Sequence, residues 1–400
     1  MKKAIYVLSI IMVILFCAGC GKEDDEKGIS FAEVKQEIHA ELEEAKNGKY
    51  ENLNIVCDGV RLPESEQLKK MRFPVYEFTD GMLLKEKANF YEDIVYPKLL
   101  DVEDVKPEYF KVHITSLEDG TRIDGDYTYL LEHVEELEER DDIQLWWTYK
   151  DDENYYSIET MPEGICFNIS QGVLAKLNGR NSPFAANNYE RVKTYNCYID
   201  DLSDSYPLMD GTQKTVAEAK AEIEAYLDAH YPIVGEDNDV RNVVYEIVVG
   251  KIPNSEYYVF DGYRTFSYEG IRVKEHTEGG LKNEVGVMGQ ALLCESNKVD
   301  VLLGLVNCYE SGTVVKEYEE YLPFADVMET LSLYMTGNTG FDICDIGLEY
   351  RMFTEVVEGK TYYNWIPYWA FRLENPNDDS VIRVYINIET GEAESFDISQ

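Results

Sequence analysis

The sequence predicts an α+β protein in which antiparallel sheets are each covered by a helix. Stretches with an apolar residue at every third or fourth position alternate with strand-like runs along the 400 residues. The strand-like runs are joined by short Gly, Asn and Asp turns, which are typical of hairpins. A unit of helix, strand, strand and hairpin also occurs twice in the C-terminal half. Packing one helix on an antiparallel sheet buries such a unit.

The chain begins with a pattern typical of a secretory signal. Lys2 and Lys3 precede an apolar run from Ala4 to Cys17. This run and the small residues after it are slightly shorter than the about 20 apolar residues that a permanent span requires. We therefore expect residues 1–19 to be a signal peptide, with an uncleaved N-terminal anchor as the alternative.

Ala18 and Gly19 stand directly before Cys20, and the three residues resemble the box of bacterial lipoproteins. The resemblance implies that Cys20 is diacylated and becomes the first residue after cleavage. The position three before the cysteine, usually Leu in that box, is Cys17 here. Residues 20–28 form a charged segment without apolar side chains that could be buried in a core, which indicates an acidic tether. We expect the protein on the outer face of the cytoplasmic membrane, held by its lipid.

Composition excludes two classes of protein. Thirty-seven basic and 77 acidic residues give a formal net charge of −40, which repels phosphate backbones and argues against a nucleic-acid partner. Apolar residues make up 44% of the chain, which is too many for a disordered polyanion. The sequence therefore indicates a folded acidic protein.

We predict an N-terminal α+β domain over residues 29–205. Ser30 and Glu33 have the spacing of a capping box, and the helix that follows is expected to stop at Gly48. Alternation and helical periodicity then predict a strand, two further helices and a broken hairpin, at 51–60, 80–100, 126–140 and 142–170 respectively. Asp, Ser, Pro and Gly cluster after residue 200 and favour a domain boundary there.

The repeat defines two further units, at 212–321 and 322–400. Thr215–Leu227 and Pro323–Met335 align without a gap, and their apolar positions match along one helical face. We expect Ile223 and Leu331 to lie in corresponding cores. Glu222 and Glu329 are expected on the outward sides, and each unit is expected to close with a hairpin, around Gly312 and Gly391.

The last part of the chain supports a resemblance. "YYNWIPYWAFRLENPNDDSVIRVYINIETGEAESF" resembles the closing hairpin of PepSY-type domains, in which an aromatic strand precedes a terminal V-[DN]-x-x-T-G-[DE] turn. "YEEYLPFADVMETLSLYM", "IGLEYRMF" and "YNWIPYWAF" resemble, in that order, a family of Gram-positive lipoproteins known only as a domain of unknown function. The resemblance implies a surface lipoprotein with PepSY-like units and assigns no catalytic residues.

The cysteines after Cys20 are widely separated. Two interpretations remain open for this even-numbered set, free buried thiols and one or two disulfide bridges, and we favour free thiols. The set comprises Cys57, Cys166, Cys197, Cys294, Cys308 and Cys344.

The sequence contains no motif for zinc binding, acyl hydrolysis or nucleotide binding. Acidic loops at 119–126 and 236–239 offer oxygen ligands without the spacing of a calcium loop, and solvated turns are the better interpretation. We expect no cofactor and no metal. Trp147, Trp365 and Trp369 lie in aromatic strand-like runs; we favour core positions, with stacking on a sugar or peptide as the alternative.

These observations favour a membrane-tethered, non-enzymatic interaction or regulatory module that binds a protein or peptide at the cell surface. Two alternatives stay open. One is an extracellular hydrolase that uses carboxylates, which requires two desolvated carboxylates in a cleft. The other is a solute-binding lipoprotein, which requires two α/β lobes and is disfavoured by the antiparallel pattern.

Overall fold

A computed structural model describes most of the chain after residue 30. The described residues are 31–63, 67–74, 107–150, 154–161, 164–171, 189–230, 240–274, 284–285, 289–303, 312–318, 322–335, 340–377 and 380–397. The signal peptide, the tether, Cys20 and the helix expected at 80–100 lie outside them.

Four α-helices lie in this part of the chain: α1 Phe31–Glu44, α2 Tyr127–Glu138, α3 Val216–His230 and α4 Phe324–Tyr334. The strands that precede α3 are β1 Asn54–Ile55, β2 Lys69–Pro74, β3 Phe110–Ser116, β4 Arg122–Gly125, β5 Ile143–Lys150, β6 Asn154–Met161, β7 Gly164–Gln171, β8 Glu190–Asn196, β9 Ser205–Pro207 and β10 Gln213–Thr215. The strands that follow α3 are β11 Val240–Lys251, β12 Tyr258–Tyr268, β13 Ile271–Arg272, β14 Glu284–Val285, β15 Gln290–Glu295, β16 Lys298–Leu303, β17 Thr313–Glu317, β18 Asp342–Val357, β19 Lys360–Glu374, β20 Val381–Asn387 and β21 Ala393–Asp397. None of the helices in these ranges is long and apolar enough to cross a membrane.

Two sheets contain nearly all of these strands. The large sheet has the order β4-β3-β5-β6-β7-β16-β15-β12-β11-β8, with β13 paired to β12. The C-terminal sheet has the order β1-β18-β19-β2-β17, with β14 on β18, β20 on β19 and β21 on β20. The strand pairs are antiparallel except for β1 with β18. The predicted α+β class with antiparallel sheets is therefore confirmed.

Each predicted repeat helix lies across a sheet. Helix α3 packs on β11, β12 and β15, and helix α4 packs on β20 and β21. Ile223 and Leu331 are fully buried, as predicted. A capping box starts α3: the Thr215 amide donates to Glu218 Oε2 at 2.8 Å, and the Glu218 amide donates to Thr215 Oγ1 at 3.1 Å.

The strands after each helix form the same antiparallel meander. The first is β11-β12-β15-β16 and the second is β18-β19-β20-β21. The second closes at Gly391 with a φ of 69°, as expected. The first arm of the hairpin predicted around Gly312 lies outside the described residues; β17, which follows Gly312, pairs with β2 in the C-terminal sheet. In the first meander, β15 and β16 are joined by a turn at Asn297, which adopts a left-handed φ of 62°.

The predicted domain boundaries differ from the sheet memberships. Strands β1 and β2, expected in an N-terminal domain over 29–205, pair with β18 and β19 of the C-terminal sheet. Phe73 of β2 is fully buried there, and its ring centroid lies 4.3 Å from that of Trp365. Strands β3–β7, by contrast, continue the sheet of the first repeat through the β7–β16 pair. The expected domain is thus shared between the two sheets.

Strand β12 connects the two hydrophobic cores. Phe260 belongs to the core under α3, whereas Phe266 and Tyr268 belong to the core of the C-terminal sheet. The Phe266 and Trp365 rings are stacked with centroids 6.2 Å apart. The units expected at 212–321 and 322–400 therefore share a core at this point.

Candidate functional site

Trp365 and Trp369, for which the sequence favours core positions over stacking on a ligand, are core residues. Their side chains are 0% and 1% exposed, and Trp369 packs against Phe324 of α4 with ring centroids 4.9 Å apart. Neither indole face is open to solvent, so stacking of these two rings on a ligand is excluded. The large apolar area of an indole is best removed from water, which is the physical reason for the core position.

Trp147 lies in β5, where its backbone pairs with Val112 and Ile158, while its side chain lies outside the described part of the structure. The neighbouring Trp146 is described, and its side chain is 39% exposed. Of the indoles that can be located, Trp146 is therefore the one that reaches solvent.

Trp146 lies at one end of a small surface that we call the Trp146 face, formed by Trp146, His113, Arg122 and Asp124. Cross-strand pairs bring Asp124 of β4 opposite His113 of β3, and His113 opposite Trp146 of β5. The imidazole stacks on the indole with ring centroids 4.8 Å apart and an angle of 24° between the planes. Adjacent strands thus place an aromatic ring and charged groups side by side.

Polar contacts fix the imidazole of the Trp146 face. His113 Nδ1 lies 2.5 Å from Asp124 Oδ1 and 2.7 Å from Arg122 Nη2. Arg122 Nε donates to Asp124 Oδ1 at 2.7 Å. The hydrogen bond with His113, followed by that with Arg122, lowers the pKa of Asp124 below its ordinary value. The carboxylate therefore stays ionised and exposed beside the rings.

The same strands bury their other side. Val112 and Ile114 of β3 and Ile143 and Leu145 of β5 alternate with the residues of the Trp146 face and are buried in the core. This alternation holds the exposed rings on a rigid support.

A second constellation, the Glu349 network, lies where the two sheets meet. It comprises Arg61, Arg272, Asp345, Glu349 and Tyr385. Arg61 donates to both oxygens of Asp345, at 2.8 and 2.7 Å, and Tyr385 Oη donates to Glu349 Oε2 at 3.0 Å. Arg272 of β13 donates to Glu349 Oε1 from Nε at 2.7 Å and also from Nη2. Because β13 belongs to the large sheet, this ion pair joins the sheets.

Burial alone would raise the pKa of Glu349, whose side chain is 1% exposed. The positive charges of Arg272, Arg383 and Arg61 outweigh that effect and lower the pKa below its ordinary value. The guanidinium carbons of Arg61 and Arg272 also lie 5.0 and 4.7 Å from the centroid of the Tyr198 ring. These contacts satisfy buried charges, so the network has the features of a structural joint.

Gly347 permits the approach of Arg61 to β18. A Cβ atom at this position would lie 2.9 Å from Arg61 Cζ and 3.0 Å from Arg61 Cβ. The backbone amide of Arg61 donates to Ile346 O at 2.9 Å, and that of Leu348 donates to Arg61 O at 3.3 Å. Glycine therefore leaves the space in which Arg61 reaches Asp345.

A third group is Asp261 of β12, which is 2% exposed. Tyr189 Oη donates to Asp261 Oδ2 at 2.5 Å, and the other carboxyl oxygen has no hydrogen-bond partner in the structure. Burial raises the pKa of Asp261 to about 6. A carboxyl group in this state can exchange a proton near neutral pH.

The described thiols are inert. Cys57, Cys197, Cys294 and Cys344 are free, as expected, whereas Cys308 and the side chain of Cys166 lie outside the described residues. Burial raises the pKa of the Cys57 thiol to about 11, and those of Cys197 and Cys344 to about 12. Such thiols are poor nucleophiles.

Within the described ranges, His, Cys, Asp and Glu side chains form no group of three or more that could hold a metal ion. In the loop expected to be a solvated turn, Asp126 accepts a hydrogen bond from the Tyr129 amide at 3.0 Å and caps α2. The loop at 236–239 lies outside the described residues.

Sequence reasoning missed the Trp146 face, the Glu349 network and Asp261. Successive residues of a strand point to opposite faces of the sheet, so Trp146 and Trp147 must lie on different faces. Only the pairing of β5 with its neighbours shows which face is exposed. The Glu349 network joins Arg61 to Asp345, 284 positions away, and Arg272 to Glu349, 77 positions away, and no local pattern marks such contacts.

No protein-family model and no curated protein matches the chain. Solved structures that are similar to it include the following two. An uncharacterized protein from Eubacterium rectale ATCC 33656 is 14% identical, with a TM-score of 0.49 over 86% of this chain and 90% of that one. The Bacillus megaterium YpeB C-terminal domain is 10% identical, with a TM-score of 0.30 over 76% of this chain and 95% of that domain.

Proposed function

We propose that the protein is a membrane-tethered extracytoplasmic lipoprotein that acts as a non-enzymatic interaction or regulatory module built on PepSY-like units. The observation that carries the proposal is the order of segments at the start of the chain. A basic pair, an apolar run, the Ala18-Gly19-Cys20 box and a charged tether precede a folded acidic body. Two acyl chains on Cys20 would anchor that body firmly.

Features of the body support an interaction module over the two alternatives. Arg272 and Glu349 form a buried ion pair that joins the sheets, Arg61 pairs with Asp345, and the thiols of Cys57, Cys197 and Cys344 are protonated at neutral pH. The antiparallel pairings also differ from the two α/β lobes that a solute-binding lipoprotein requires. A protein or peptide at the cell surface is the proposed partner.

The experiment is metabolic labelling of cells with palmitate. The wild-type protein should carry the label, and Cys20→Ala should abolish it. Cys17→Leu is the matched control: Cys17 leaves with the signal, and Leu is usual at this position, so this variant should be labelled fully. Equal labelling of wild type and Cys20→Ala would overturn the lipid anchor.

A carboxylate-dependent hydrolase is the second candidate, and one observation favours it. Asp261 has a raised pKa, as a general acid does. Leu292 pairs with Asp261 on one side and with Asp300 on the other, so the two aspartates lie in the same row of the sheet. Against it, Asp261 is 2% exposed and Asp300 is 3% exposed. The enzyme hypothesis would be supported if the wild type hydrolysed a cell-surface polymer and the Asp261→Asn variant did not.

A further inference from the structure

The Trp146 face combines a partly exposed indole with hydrogen-bonding groups on the neighbouring strands. Trp146 is 39% exposed even though the imidazole of His113 stacks on it, so part of the ring is open to solvent. The aromatic side chain is held on a sheet, between strands that pair along most of their lengths. Little conformational freedom is lost when such a ring binds a ligand.

The surroundings of Trp146 are polar. Register places Thr115 opposite Gln144 and Lys111 opposite Thr148, on the same side of the strands as His113 and Trp146. Lys111 is exposed, and the other three are half-buried. Among the side chains that the structure describes, the neighbours of the ring on β3 and β5 therefore carry hydroxyl, amide, ammonium and imidazole groups, and none of these neighbours is apolar.

A pyranose ring matches this combination. The C–H bonds on the flat face of an equatorially substituted sugar carry a weak positive charge, which an aromatic ring face attracts. Its hydroxyl groups lie around the rim, where donors and acceptors such as Asp124, Arg122 and Gln144 can bind them. Gluco-configured sugars have their ring substituents equatorial and present the broadest such face.

Charge selects among saccharides. The net charge of −40 repels polyanionic polymers, and the ionised Asp124 stands directly beside the rings. A neutral chain avoids this repulsion.

We propose that the Trp146 face binds neutral, gluco-configured saccharide chains. Trp146 contacts one sugar ring of the chain, and Asp124 and Arg122, which lie beyond His113, bind hydroxyl groups of the chain. His113 is a positioning residue that holds the indole. The proposal goes beyond the interaction module proposed above and does not require the lipid anchor.

The test is titration of the full chain, held in detergent, with cellohexaose and chitohexaose, followed by tryptophan fluorescence and by saturation-transfer NMR of the sugar protons. Wild type should bind at least one hexaose, with Trp146→Ala weakening binding at least tenfold. Trp146→Phe should retain binding within about fivefold because it keeps an aromatic face. His113→Ala should fall between the two.

The matched control is Tyr334→Ala. Tyr334 lies on α4, and its side chain is also 39% exposed. Its removal should leave saccharide affinity unchanged. A circular-dichroism melt of each variant separates lost binding from lost folding, since Trp146 and Tyr334 are both surface residues.

Two results would overturn the proposal. One is the absence of binding of both hexaoses to the wild type. The other is equal binding by Trp146→Ala and wild type. Binding of an oligolysine peptide at Trp146 in place of the sugars would assign the face to a basic protein partner. Palmitate labelling tests lipidation of Cys20, and the titration tests saccharide binding at Trp146. The two proposals can therefore fail independently of each other.

Discussion

Asp261 is a carboxyl group whose ionisation the folded protein resists. Its neighbours across the sheet are Val248 and Leu292, which cannot solvate a charge. Tyr189 donates one hydrogen bond, and Glu246 adds repulsion that opposes the favourable charge of Arg191. Desolvation outweighs these contacts, so the pKa rises from its ordinary value near 3.8 to about 6.

The raised pKa of Asp261 determines how the stability of the protein changes with pH. Between pH 4 and pH 6 the native state binds more protons at this site than the unfolded chain, so stability falls as the pH rises. Above pH 6 the destabilisation is complete, at about 2 to 3 kcal/mol for a shift of about two units.

Asp261→Asn should remove this loss because the amide does not ionise and its oxygen can still accept from Tyr189. We expect the gain in the free energy of unfolding of the variant over wild type to be about 2 to 3 kcal/mol larger at pH 8 than at pH 4. Urea denaturation at the two pH values measures the difference. Asp58→Asn, an exposed control, should show no such pH dependence, and a pH-independent effect of Asp261→Asn would contradict the burial argument.

Among the elements, the two repeat helices stabilise the fold through one buried stripe each. Val216, Ala219, Ile223 and Leu227 of α3 are all fully buried, as are the corresponding apolar residues of α4. This spacing of three and four is the signal from which the helices were predicted.

Ile223→Ala and Leu331→Ala should each cost roughly 2 to 5 kcal/mol of unfolding free energy, since both side chains are fully buried. The exposed Glu329→Ala should stay within about 0.5 kcal/mol. Chemical denaturation provides the measurement, and a cost below 1 kcal/mol at either core site would contradict the packing described.

Glu222 is not an equivalent control, contrary to expectation. It accepts a hydrogen bond from the Asn297 amide at 2.5 Å and pairs with Lys214, so it fastens α3 to the β15–β16 turn. The left-handed Asn297 leaves its amide directed toward this carboxylate. We therefore expect Glu222→Ala to be more costly than Glu329→Ala.

The helices and the last hairpin could be predicted because their signals are local. Capping residues, apolar spacing and Gly391 lie within a few positions of the structure that they specify. The insertion of β2 beside β19 could not be predicted, because the partner of Phe73 is Trp365, almost 300 residues away. The exposed face of β5, on which Trp146 lies, could not be predicted for the same reason, because the register of β5 depends on its pairing with other strands.

At the scale of the whole molecule, the Glu349 network holds the sheets together. The pKa of Glu349 is lowered in the folded protein. The stabilising negative charge of Glu349 is therefore present above the ordinary pKa of a glutamate, and it is lost as the pH falls below that value. The joint is therefore maintained at neutral and mildly acidic pH.

Glu349→Gln should cost about 3 to 5 kcal/mol at pH 7, because it leaves buried guanidinium groups without their carboxylate. The difference from wild type should shrink as the pH falls toward 2. Urea denaturation at pH 7 and pH 3 tests both statements. Glu389→Gln, which removes an exposed ion pair with Lys316, should change stability by less than about 1 kcal/mol; an equal cost for both variants would show that burial of Glu349 adds nothing.

The pairing of β2 with β19 also constrains the order of folding events during synthesis. A ribosome produces Phe73 long before Trp365, so the C-terminal sheet cannot close until almost the whole chain has emerged. For the export that we propose, such a delay would be an advantage, because translocation channels accept unfolded chains. A sheet whose early strands pair only with late strands would keep the polypeptide unfolded until it had crossed the membrane.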